Sequence, residues 1–126
     1  MIAVVAALAW RDGKLLIARR PDGRHMGGKW EFPGGKLEKG ETPEEALRRE
    51  LMEELGVDAA IGRIAAAIPY SYPEKDVLLL FYDARLLGDP KPIDEAALAW
   101  VRPEDLPRCD LAPVDALMAR RLTIQT

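Results

Sequence analysis

Residues 2–10 form an apolar run rich in valine and alanine, Asp12-Gly13 interrupts it, and residues 14–20 resume it. Two apolar runs separated by an Asp-Gly dipeptide predict a β-hairpin. Residues 21–40 are dense in glycine and proline, with Glu31-Phe32 as the only strand-like fragment before Pro33-Gly34-Gly35. This predicts a long loop, and loops of that length inside small domains commonly carry function. At Thr42 the period changes. Leu47, Leu51 and Leu55 recur every four residues, Thr42 can cap the first turn, Pro43 occupies the first helical position, Glu45 completes a capping box, and Gly56 stands just past the end. Further on, residues 57–68 and 77–87 predict strands joined by a turn over 69–75; a short strand over 97–101 and a closing helix over 113–122 follow.

The helix carries its acids in an unfavourable place. At about 100° per residue, Glu50, Glu53 and Glu54 fall in one band beside the leucine stripe. Like charges at these spacings each cost about 0.2–0.5 kcal/mol, and the last two turns of a helix favour cations. Taken alone, the segment also reads as a charged surface helix partly neutralised by Arg48 and Arg49. A divalent cation would reverse both penalties, because hard Mg²⁺ prefers carboxylate and carbonyl oxygens.

Length and charge narrow the partners. A chain of 126 residues, 48% hydrophobic and 31% charged, is expected to fold as a single domain over 1–126. The net charge of -3 disfavours long nucleic acid, which is bound chiefly by cationic neutralisation of phosphates, and leaves small anions possible if a metal supplies the charge. Cys109 is the single cysteine and reads as a half-buried small hydrophobe. The apolar opening lacks a basic leader and is too short to span a bilayer, so a cytoplasmic location without membrane contact is expected.

From Gly35 the chain reads Gly, five residues, Glu41, seven residues, then Arg49-Glu50-Leu51-Met52-Glu53-Glu54-Leu55-Gly56-Val57. This resembles the Nudix box at every fixed position, and Arg19-Arg20, His25-Met26, Glu31 to Lys36 and Gly40 to Pro43 are similar to the MutT branch of that family. The resemblance covers nearly the whole chain. It implies an α+β fold, the Nudix α/β/α sandwich, with a mixed β-sheet and the box as a loop-helix-loop. It also implies Mg²⁺, replaceable by Mn²⁺, held by Glu50, Glu53, Glu54, the Gly34 carbonyl and either Asp94 or Glu95, of which Glu95 is taken as the candidate. Glu50 is the expected general base and Glu53 the second choice, with Arg49 orienting the acids and Glu41 supporting them. Lys36 and Arg20 become candidates to hold phosphates.

For the base, the resemblance carries over Arg20, His25 and Phe32, while Tyr72 takes a place that is aromatic in the MutT branch. By themselves, His25 reads as a surface loop residue and Phe32 as a core residue. Asp115 stands where that branch has an asparagine, and as an ionised acid it would accept hydrogen bonds and donate none. The implied reaction converts a nucleoside triphosphate and water to the monophosphate and pyrophosphate, with 8-oxo-dGTP as the leading substrate. CTP or a modified dCTP is the alternative, because Leu111-Ala112-Pro113-Val114-Asp115 also resembles the CTP pyrophosphohydrolase branch. Pro73 sits near a position that marks ADP-ribose enzymes, but the MutT branch shares it, so it carries no weight. A nucleotide-sensing Nudix module that has lost catalysis is the third reading, and it ranks below the other two because no box residue is missing. The expected assembly is a monomer or homodimer.

Overall fold

In the computed structural model, which describes residues 1–124, strands β1 (Ile2–Arg11) and β2 (Lys14–Arg19) form the expected hairpin. Its turn puts Asp12 at φ 53° and Gly13 at φ 76°, both in the left-handed region that a two-residue hairpin turn needs. The remaining elements are β3 (Trp30–Glu31), β4 (Gly34–Lys36), helix α1 (Pro43–Leu55), β5 (Ala59–Ser71), β6 (Asp76–Leu86), β7 (Ala97–Val101), a 3₁₀ turn (Pro103–Arg108) and helix α2 (Pro113–Ile124).

β1 is the spine of a mixed sheet. It runs parallel to β6, with Ile2 opposite Val77 and Ala9 opposite Ala84, and antiparallel to β4; β5 closes the sheet as an edge beside β6. β2 lies between β3 and β7, both antiparallel, in a smaller sheet that joins the first at the hairpin. Side chains alternate across a strand. Val5, Ala7 and Ala9 therefore pack with Leu47, Leu51 and Leu55 of α1, while Ala6 and Leu8 pack on the other face with Val114, Met118 and Ala119 of α2. The result is helix, sheet, helix, as the resemblance implied. No helix among the described residues is long and apolar enough to cross a membrane.

Three expectations need correction. The loop over 21–40 holds two short strands: β3 begins one residue earlier than Glu31-Phe32, and β4 has almost no strand propensity of its own. β4 exists because Gly34, Gly35 and Lys36 pair with Ala6, Val5 and Val4, so tertiary pairing overrides local preference. The turn over 69–75 shrinks to residues 72–75, where the backbones of Tyr72 and Lys75 bond each other, because β5 continues through Pro69 to Ser71. A proline is tolerated there because β5 is an edge strand with only one neighbour.

Candidate active site

Helix α1 begins as its sequence dictates. Thr42 Oγ1 accepts from the Glu45 N–H at 3.2 Å, and Glu45 Oε1 accepts from the Thr42 N–H at 2.9 Å. Gly56, at φ 65°, ends the helix. The C-terminal carbonyls are then claimed by the loop after β6: Glu54 accepts from the N–H groups of Ile93 and Asp94, and Leu55 from that of Lys91. That docking sets Glu95 beside the end of α1, next to Glu54.

Arg49 organises the acids. Its Nε and Nη2 donate to the two oxygens of Glu41 at 2.7 and 2.9 Å, Nη1 donates to Glu50 at 2.9 Å and reaches Glu53 at 3.4 Å, and Nη2 also donates to the Lys36 carbonyl at 3.0 Å. The hydrogen bond to Glu41, followed by that to Glu50, raises the Arg49 pKa further. Glu50 lies against Gly35, where any Cβ would strike its carboxylate. Gly34 is packed as tightly against Val5 of β1.

Glu54 and Glu95 have no such cation. Oε2 of each is buried without a hydrogen-bond partner. Burial first, then the charges of Glu95 and Glu50, hold the Glu54 carboxyl far above the ordinary carboxylate range. Burial and Glu31 push Glu95 up as well. Asp94, the other candidate, turns outward to Arg24 at 3.3 Å, so of the two it is Glu95 that faces the cluster.

Among the described residues no ready-made cage of three or more acidic, imidazole or thiol groups is present, since Glu50 and Glu53 face Arg49. The two orphaned oxygens and the all-oxygen donor set nevertheless fit a hard divalent cation, which would satisfy both and remove the repulsion. Because burial and neighbouring acids favour the protonated form of Glu54, a metal bound there would be expected to displace a proton. Calorimetric titration with Mg²⁺ in buffers of different ionisation enthalpy is therefore expected to show proton release that Glu54→Gln diminishes. Proton-neutral binding by the unmodified chain would contradict this geometry.

A cavity of about 280 Å³ opens beside the acids, lined by Arg20, His25, Phe32, Lys36, Tyr72 and Asp115 among others. All the candidates for holding the nucleotide thus meet in one place. Phe32 is 2% exposed and packs edge-on against Phe81, so it is both core residue and cavity wall. His25 leaves its loop to meet Tyr72 edge-on at 5.2 Å. Arg20 donates to Glu31 at 3.0 Å and to the His25 carbonyl at 2.7 Å. Glu31 also lines the cavity and was not among the candidates. Burial raises its pKa and Arg20 opposes the rise. Its one local signal is a charged residue between Trp30 and Phe32 in a strand-like fragment.

Asp115, in the first turn of α2, is 5% exposed, and its Oδ1 accepts from the Phe32 N–H at 2.9 Å. Burial, then Glu31, pushes its pKa up to about 8. The ionised, accept-only side chain expected from sequence is therefore replaced near neutral pH by a neutral acid that offers one donor and one acceptor. The desolvation penalty of the buried site outweighs the helix N-terminus.

Known proteins resemble this chain along most of its length. The CTP pyrophosphohydrolase of Escherichia coli is 40% identical over 116 residues, 91% of this chain and 86% of that protein. The 8-oxo-dGTP diphosphatase of Escherichia coli is 35% identical over 115 residues, 86% and 88% of the two chains. The solution structure of the E. coli ORF135 protein superposes with a TM-score of 0.88 at 37% identity, covering 98% of this chain and 89% of that one. The MutT protein from Methanosarcina mazei superposes at 0.87 with 29% identity, covering 98% and 94%. Residues 1–122 match the NUDIX domain. Motif, sheet and gathered carboxylates agree with that match: the chain belongs to the NUDIX family and is a Nudix hydrolase.

Proposed function

We propose that this single domain is a Mg²⁺-dependent nucleoside triphosphate pyrophosphohydrolase, forming a monophosphate and pyrophosphate, and that 8-oxo-dGTP is its leading substrate. The observation that carries the reading is the cavity lined by Asp115, Arg20, Lys36 and Gly35, the last of which lies against the Glu50 carboxylate of α1. A base seated at Asp115 directs its triphosphate toward Glu50, Glu53, Glu54 and Glu95, which together with the Gly34 carbonyl are the assigned metal ligands. Bound there, Mg²⁺ would supply positive charge against the phosphates and the acidity that activates the attacking water. Glu50 takes the proton of the water that attacks the β-phosphorus, and the bond between the α-phosphorus bridge oxygen and that β-phosphorus breaks. Arg49 holds Glu50 and Glu53 in place, while Lys36 and Arg20 flank the phosphates.

Neutral Asp115 explains how an acid can replace an asparagine. Its O–H donates to the O6 of a purine and its carbonyl accepts from an adjacent ring N–H, as an amide would. The same pair of groups also complements N3 and the amino group of cytosine. That, with the 40% identity to a CTP pyrophosphohydrolase, supports CTP as the second reading. Steady-state kinetics decide between them: kcat/KM for 8-oxo-dGTP is expected to exceed that for CTP, and a tenfold lead of CTP, about 1.4 kcal/mol, would reverse the assignment.

The pH dependence follows from the same group. Asp115 is neutral below about pH 8, so kcat/KM for the preferred base is expected to fall as pH rises through that value. Asp115→Asn should remove this limb of the profile. Its stability effect has the same sign, because a carboxyl raised above its unfolded pKa stabilises the fold at low pH and loses that contribution as pH rises through its folded value.

A further inference from the structure

Two loops meet at the mouth of the site, and one ion pair joins them. The loop between β2 and β3 carries His25 and Met26, which line the nucleotide cavity. The loop after β6 carries Glu95 and is pinned to the last turn of α1. Between them the Arg24 guanidinium presents both terminal nitrogens to Asp94, at 3.3 and 3.5 Å. These are long, and the side chains are 49% and 57% exposed, so the pair is weakly held. The charge of Arg24 is also felt by Glu95 and Glu54. Its neighbour in the chain, His25, lines the base cavity, while its own head group lies within electrostatic reach of Glu95 and Glu54.

The two arginines nearest the acids and the cavity are committed differently. Arg49 is saturated by Glu41, Glu50, Glu53 and the Lys36 carbonyl, and Arg20 is bound to Glu31. We propose that Arg24 is a further substrate-binding residue, which exchanges Asp94 for the phosphate oxygens of the nucleotide and so closes its loop over the bound triphosphate. The inference rests on the triphosphate reading above. A polyphosphate offers Arg24 more charge and more acceptor oxygens than a single exposed carboxylate does, and its bidentate fork suits them. Asp94 then acts as a holding partner that keeps the guanidinium aimed at the site while no nucleotide is bound.

The test compares Arg24→Gln, Arg24→Lys and Asp94→Asn, each checked for an unchanged melting temperature, in steady-state assays with 8-oxo-dGTP and CTP and by calorimetric Kd for a non-hydrolysable nucleoside triphosphate. Arg24→Gln is expected to raise KM and Kd about tenfold for both bases, with kcat within about threefold. Arg24→Lys should recover part of the loss, and Asp94→Asn should leave affinity unchanged or improve it. If Arg24→Gln binds within twofold of the unmodified chain, the proposal is wrong. It is equally wrong if Asp94→Asn loses as much as Arg24→Gln and the two losses fail to add, because Arg24 then only ties the loops together. An unmodified chain that neither binds nor cleaves triphosphates would instead remove the reading under Proposed function, a result separable from either of these.

Discussion

Replacing Glu50 by glutamine is expected to lower kcat by about two to four orders of magnitude, the range associated with loss of a positioned general base, while the melting temperature moves little. Glutamine preserves the shape that fits against Gly35, and its amide oxygen can still accept from Arg49, which now bonds the carboxylate at 2.9 Å. What disappears is the basic oxygen. Pyrophosphate release under saturating Mg²⁺ and nucleotide is the measurement. Retention of more than a tenth of the rate would move the base to Glu53, whose side chain is 58% exposed and more loosely held by Arg49.

The largest stability effect is expected at Gly34. A Cβ there would fall on the carbonyl oxygen of Val5, and both atoms belong to paired backbone: Gly34 faces Ala6 in the ladder, and the neighbouring Gly35 faces Val5 itself. Neither strand can yield without breaking the β1–β4 pairing. Gly34→Ala should therefore cost about 3 kcal/mol or more, lowering Tm by roughly 10 °C for a chain of this size. It should also cost activity, because the carbonyl proposed to bind the metal moves with it. Thermal unfolding within a few degrees of the unmodified chain would show that β4 can shift without harm.

The helix and its acids were legible from sequence because every local signal agreed there: cap, first-turn proline, leucine period and terminal glycine. The hairpin was legible because Asp12-Gly13 satisfies a backbone need that few dipeptides meet. β4 was not, since two glycines and a lysine become a strand only when β1 is present to pair with them. Pro69 misled for the opposite reason, a local turn signal absorbed by an edge strand. At the site, the residue types of the box announced its chemistry, but nothing local could reveal that Asp115 is buried deeply enough to stay neutral. The Arg24–Asp94 pair and the cavity position of Glu31 depend likewise on neighbours brought together only by folding.

The parallel pairing of β1 with β6 also bears on how the chain reaches this state. β1 is a central strand, yet its long partner lies far along the sequence, with Ile2 opposite Val77. During synthesis β1 leaves the ribosome well before β6 and can make its hairpin at once, but its other edge stays open until β6 has emerged. Ordering so distant a contact is slow, because loop closure must precede any gain from pairing. The apolar residues 2–10 thus wait unpaired on one edge until β6 is made, and that stretch is where misassociation should begin when the protein is made faster than it can fold.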